Sequence, residues 1–222
     1  MPKTILLAGA TGLVGSAVLP LLLADARVGR VIALVRNPLP QAHPKLEQWV
    51  GDDLLAVLGP VSVDAVICCL GTTIGKAGSQ AAFIAVDKAL PLGIARWAKA
   101  QAVPAFCIIS AMGAGAGSRI FYSRVKGEVE LELEAMDFPS LSLFQPSVLT
   151  GPRRERRAGE GLASGLLQVA GPLLAGSLAD YRAMPHHVLA RGLVQAALAA
   201  VPGIHRLRYR EICRMAAELH TA

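Results

Sequence analysis

Short, uniformly apolar runs alternate with amphipathic stretches along most of this chain. The first run, residues 4–8, reads as a strand buried on both faces. It breaks at Gly9, Gly12 and Gly15, spaced three apart, and an amphipathic stretch with helical periodicity follows over 13–23. A second buried run at 31–35 stops at Arg36-Asn37-Pro38. The Pro-rich segment 38–44 predicts a loop in place of a long second helix. Residues 45–50 predict a short strand, ending at Gly51-Asp52-Asp53, and a short helix is expected to begin near Leu54. Residues 63–70 form a third buried run. Helical periodicity returns over 80–101, where Pro91 implies a kink or an interrupted first turn. Strands are predicted at 105–109 and 141–144, on either side of a Gly/Ala-rich loop (112–117) and a helix that opens near Ser118.

Strands alternating with helical stretches predict an α/β fold, a doubly wound parallel sheet with helices on both faces. The length of 222 residues suits one domain spanning 1–222. Within it, residues 153–205 are expected to contribute a small substrate-side cap. That cap would comprise the arginines at 153–157, an apolar helix at 161–174 and a further stretch at 184–200.

The glycine-punctuated turn between a strand and a helix carries the first chemistry. Glycines let the backbone turn tightly and approach a pyrophosphate, and the N–H groups opening the next helix face its charge. The segment therefore predicts nucleotide binding. The strand ending at residue 35 is where an acidic residue would meet the ribose hydroxyls of NAD. Arg36 stands there instead and suits a 2′-phosphate, which favours NADP(H) over NAD(H), unless it is an ordinary strand-end arginine. Asp53 either bonds an adenine amino group or caps the segment after it. Gly71, following the third buried run, leaves room for a ribose.

A tyrosine and a lysine, Tyr122 and Lys126, lie four residues apart and share a helix face. An ammonium beside a phenol favours the phenolate, so the pair can exchange a proton with a carbonyl or alcohol while hydride moves to or from a nicotinamide. Ser110, at the carboxyl end of the 105–109 strand, stands where a hydroxyl could bond the same substrate oxygen. Ligands collect at that edge of such sheets.

Composition narrows the surroundings. No uninterrupted apolar stretch reaches the roughly 18–20 residues of a membrane span. Cys68, Cys69, Cys107 and Cys213 lack metal-ligand spacing and read as free thiols, so no metal is expected. These features lead to the expectation of a soluble, cytoplasmic protein. The net charge of +6 gathers at Arg153, Arg154, Arg156 and Arg157 and again over 205–214. Without an aromatic platform or a nucleic-acid motif, this surplus suits an anionic cofactor or substrate, or a solvated face, rather than nucleic acid. His186 and His187 follow Pro185 at a helix start, where capping or packing is the simpler role. Monomer and homodimer both remain open.

GATGLVG (9–15), the set Ser110, Tyr122 and Lys126, and Pro146 after a strand resemble the short-chain dehydrogenase/reductase superfamily. The strings CLGTTIGKAG (69–78), VDK (86–88), YSRVKGEVE (122–130) and PSVLTGPR (146–153) resemble, more narrowly, its atypical branch of Tat-interacting-protein-like oxidoreductases. The resemblance covers about residues 4–210. It implies a Rossmann-like domain holding NADP(H), with Gly9, Thr11, Gly12, Leu13 and Val14 lining the pyrophosphate and Arg36 at the 2′-phosphate. It implies Asp53 and Leu54 beside the adenine, and Leu70, Gly71 and Thr72 along the ribose. Residues 145–148, including Pro146 and Val148, would border the nicotinamide amide, and Lys126 would also bind the nicotinamide ribose. Ser110, Tyr122 and Lys126 would be the catalytic trio. Where many members carry an asparagine as a proton-relay or positioning residue, this chain has Asp87, which reads either as a departure from that relay or as a surface residue beside Lys88.

Three functions fit these features. The first is hydride transfer to or from a small carbonyl or alcohol. The second is a dinucleotide-binding sensor with little or no turnover. The third, nucleotide-sugar epimerisation, normally needs a larger C-terminal lobe.

Overall fold

In a computed structural model of the chain, which describes residues 1–151 and 180–219, the apolar runs become one seven-stranded sheet. Its strands are β1 (Lys3–Ala8), β2 (Val28–Val35), β3 (Leu46–Val50), β4 (Ala65–Cys68), β5 (Ala105–Ile109), β6 (Ser140–Phe144) and a late strand, Gly203–Leu207. Two short strands between them, β7 (Leu149–Thr150) and β8 (Met184–Pro185), pair with each other, which makes the late strand β9. The sheet order is β3-β2-β1-β4-β5-β6-β9, and every pairing is parallel. The chain leaves β1 toward β2 and later returns to the other side of β1 as β4. That reversal opens a crevice at the carboxyl ends of β1 and β4, where such sheets bind ligands.

The helices are α1 (Gly15–Ala24), α2 (Ile74–Ala77), α3 (Gln80–Ile84), α4 (Leu90–Ala100), α5 (Phe121–Glu134), α6 (His186–Ala199) and α7 (Tyr209–Glu218). Side chains alternate across each strand, so neighbouring residues supply two separate cores. Ile5, Leu7, Val31 and Ala33 pack with α1 and α6 on one face. Leu6, Ala8, Ile32 and Leu34 pack with α4 and α5 on the other. Burial on both faces is the physical reason these strands read as unbroken apolar runs.

Three elements differ from expectation. No helix begins at Leu54. Residues 54–57 form a turn, with Leu54 buried in the core. The 80–101 segment stays helical through Pro91: a π-helical turn, Ala85–Ala89, joins α3 to α4 just before it, and Pro91 sits in the first turn of α4, where it has no N–H to donate to the turn before it. The third concerns the C-terminal stretch assigned to a cap. Residues 152–179, with the arginine cluster and the 161–174 helix, lie outside the described residues. The rest of the segment belongs to the sheet and its core. Leu189, Ala190, Leu193 and Val194 of α6 are fully buried against the α1 face. β9 extends the sheet edge, in register from Ser140–Gly203 to Phe144–Leu207.

Candidate active site

The glycine turn is built by close backbone approach. Gly9 has φ +86°, a left-handed conformation, and a Cβ there would lie 2.8 Å from the Cys69 carbonyl carbon and oxygen. A Cβ on Gly15 would lie 2.0 Å from the Gly9 oxygen. α1 can therefore begin directly under the turn, held by the Gly12 N–H donating to Gly9 O at 3.0 Å. Val14 is buried and Leu13 half-buried, while Thr11 and Gly12 are exposed at the mouth of the crevice. This cradle fits the phosphates of a dinucleotide at a helix N-terminus.

The other expected cofactor residues line the same edge of the sheet. Arg36 is exposed at the end of β2. Asp53 Oδ1 accepts from the N–H of Leu55 at 2.9 Å and of Ala56 at 3.4 Å, so that oxygen caps the turn. Leu70, Gly71 and Thr72 leave β4 at the crevice, with Gly71 exposed. Pro146 is buried and its carbonyl accepts from Met112 N–H at 3.0 Å, while Val148 is half-buried and bonded to Met184 at the start of β8.

Tyr122 and Lys126 occupy the first turns of α5 with contrasting exposure. Tyr122 is 36% exposed and its ring rests on Phe83 of α3, centroids 5.7 Å apart. Lys126 is 5% exposed, and its Nζ lies 2.8 Å from Asp87 Oδ1. Burial by itself pulls the Lys126 ammonium down. The Asp87 carboxylate outweighs this, with Tyr122 nearby, and holds the lysine above its ordinary value. Asp87 is not a surface residue beside Lys88: it is 1% exposed, and Lys88 turns instead to Glu128 and Glu132 on α5.

Ser110 stands at the carboxyl end of β5, but the structure does not bring its hydroxyl to Tyr122. The hydroxyl donates to the buried carboxylate of Glu130, about two helical turns further along α5. Gln145 donates its amide to both Glu130 oxygens, at 3.0 and 2.9 Å. Sequence reasoning missed this network. Glu130 continues the series Tyr122, Lys126 at the same four-residue spacing, and that spacing was the available signal.

Outside this site, His186 Nδ1 lies 3.2 Å from the Thr150 carbonyl and its ring packs edge-on against His187, so the pair ties α6 to β7. All four cysteines are free. Burial pushes the Cys68 thiol up to about 11 and the Cys107 thiol up to about 12.

No protein-family model matches the chain. Among curated proteins, the mitochondrial protein fmp52-1 of Aspergillus terreus is 34% identical over 209 residues, covering 90% of this chain and 89% of the relative. HTATIP2 of Rattus norvegicus is 36% identical over 167 residues, covering 72% of this chain and 69% of the relative. The chain belongs to the FMP52/HTATIP2 family. In solved structures the fold is similar to WbmH of Bordetella bronchiseptica, determined in complex with NAD+, with a TM-score of 0.68 and 17% identity over 94% of this chain and 76% of that one. These relatives overturn the expectation of a cytoplasmic protein, because the fungal members are named mitochondrial. The features behind that expectation, free thiols and the lack of a long apolar stretch, describe redox state and membrane crossing and carry no address.

Proposed function

We propose that the chain is an NADP(H)-dependent oxidoreductase that interconverts a small carbonyl and its alcohol. The observation that carries this reading is a buried, charged Lys126 one helical turn from a partly exposed Tyr122, both at the crevice that the glycine turn opens. A nicotinamide cofactor bound in this crevice would supply or accept the hydride. Gly9, Thr11, Gly12, Leu13 and Val14 hold the pyrophosphate, Arg36 the 2′-phosphate, and Leu70, Gly71 and Thr72 the adjoining ribose. Asp53 and Leu54 flank the adenine, and Pro146 and Val148 the nicotinamide end. Tyr122 donates its phenolic proton to the carbonyl oxygen in reduction and takes it back in oxidation. The Lys126 ammonium stabilises the phenolate left behind.

Ser110 enters this scheme differently from its part in the expected trio. Its hydroxyl proton is committed to Glu130, so its role is to hold the β5–α5 junction. The same observation favours a second reading, a dinucleotide-binding sensor with little turnover, since the hydroxyl proton of one of the three expected catalytic groups is taken by Glu130.

Purified protein is assayed for NADPH oxidation against a panel of aldehydes and ketones, beside Tyr122→Phe. Turnover lost in the variant, with NADPH still bound, supports the oxidoreductase. Equal rates in both proteins sink it, and tight NADPH binding without turnover in either protein favours the sensor.

A further inference from the structure

Asp87 is supplied by the π-helical turn, Ala85–Ala89, between α3 and α4. A π turn inserts one residue into a helix and re-aims the side chains it carries. Here the result is a carboxylate buried at the sheet edge while its neighbour Lys88 faces Glu128 and Glu132 at 2.8 and 3.0 Å. Asp87 Oδ2 accepts from the Thr72 N–H at 2.7 Å, and Oδ1 lies 2.8 Å from Lys126 Nζ. One carboxylate thus joins the turn after β4, which borders the proposed ribose site, to the lysine of α5.

The groups around Lys126 come from three elements. Tyr122 lies one turn back on α5, Asp87 comes from the π turn, and the Cys68 thiol from β4. Burial keeps that thiol neutral at pH 7. Glu130, one turn forward, is occupied by Ser110 and Gln145. Among the described residues, Asp87 is therefore the carboxylate in contact with the ammonium. An ammonium this deeply buried without a counter-charge releases its proton rather than stay charged, and a neutral amine does not favour a phenolate.

We propose that Asp87 is a positioning residue that keeps Lys126 charged inside the protein and fixes it to the Gly71–Thr72 turn. The consequence for turnover rests on the oxidoreductase reading, whereas the charge state of Lys126 does not.

The test is an NMR titration of the cofactor-free full chain labelled at lysine 13Cε, with the Lys126 signal assigned through Lys126→Gln. In the wild type, Lys126 is expected to stay protonated past the ordinary lysine value of 10.5. Asp87→Asn keeps an acceptor for Thr72 but removes the charge. It is expected to lower the Lys126 transition by about one pH unit or more, a tenfold loss of proton affinity. An unchanged transition overturns the proposal. If Asp87→Asn does not fold, the double variant Asp87→Asn/Lys126→Gln, which leaves no uncompensated charge, is expected to fold with a near-wild-type thermal midpoint. A double variant as unfolded as the single one overturns the proposal too. Failure of the oxidoreductase reading would appear elsewhere, as turnover indifferent to Tyr122→Phe while the Lys126 titration behaves as described.

Discussion

Gly127 lies mid-helix in α5, where alanine is the better helix former by about 1 kcal/mol. Propensity alone predicts that Gly127→Ala stabilises the protein. The tertiary structure reverses the sign. A methyl group at 127 would stand 2.2 Å from the Gly115 carbonyl carbon, 2.3 Å from Ala116 N and 2.4 Å from Gly115 Cα. All three are backbone atoms of the loop before α5, and Gly115 N–H holds that loop to the helix by donating to Ser123 O at 3.0 Å. Ordinary carbon contacts are about 3.5–4.0 Å, so the loop must retreat by more than 1 Å. Overpacking costs about 1–3 kcal/mol and the lost hydrogen bond about 1 more. Set against a propensity gain of about 1 kcal/mol, the net loss is about 1–3 kcal/mol. Urea unfolding followed by circular dichroism reads it directly. With a slope of roughly 2 kcal/mol/M, the midpoint falls by about 0.5–1.5 M. Gly75→Ala is the control, because nothing lies within 4 Å of a Cβ there, and its midpoint should hold or rise slightly. A Gly127→Ala midpoint equal to or above wild type would refute the packing argument.

Other expectations follow from the site. Ser110→Ala removes a donor from the buried Glu130 carboxylate and should cost about 1–3 kcal/mol of stability while leaving dinucleotide affinity intact. Thermal and urea unfolding check it, and an unchanged midpoint would show that Glu130 does not need the hydroxyl. The Lys126–Asp87 pair makes stability fall at high pH. Lys126 is held above its ordinary value in the folded chain, so its contribution is complete below about 10.5 and is lost as pH rises through the folded value. Unfolding free energies of wild type and Lys126→Gln should converge across that alkaline range, and a constant difference would contradict the ion pair's role. Arg36→Ala should weaken NADPH roughly 10–100-fold by calorimetry while sparing NADH. Equal losses for both cofactors would remove the 2′-phosphate assignment.

Much of this architecture is legible in the chain because parallel strands buried on both faces are predominantly apolar. Residues 4–8, 31–35 and 105–109 announce themselves for that reason, and the glycine spacing at 9–15 survives because any Cβ at Gly9 or Gly15 would strike backbone. β9 escaped notice because an edge strand needs burial on only one side. Its Gly203-Ile204-His205-Arg206-Leu207 is largely exposed, with Leu207 alone buried, and reads as part of a basic run. α6 looked like cap material because its apolar face carries no mark of what it packs against.

The candidate site divides along the same line. Local spacing placed Tyr122 and Lys126 on one helix face, and short-range pattern put the glycine turn before α1. Whether Asp87 lies on the surface, and which group takes the Ser110 hydroxyl, depends on residues distant in sequence that only the folded sheet and a π turn bring together. Sequence periodicity records which face of an element is buried. It does not record which partner meets that face, and the charge of Lys126 and the direction of Ser110 are set by those partners.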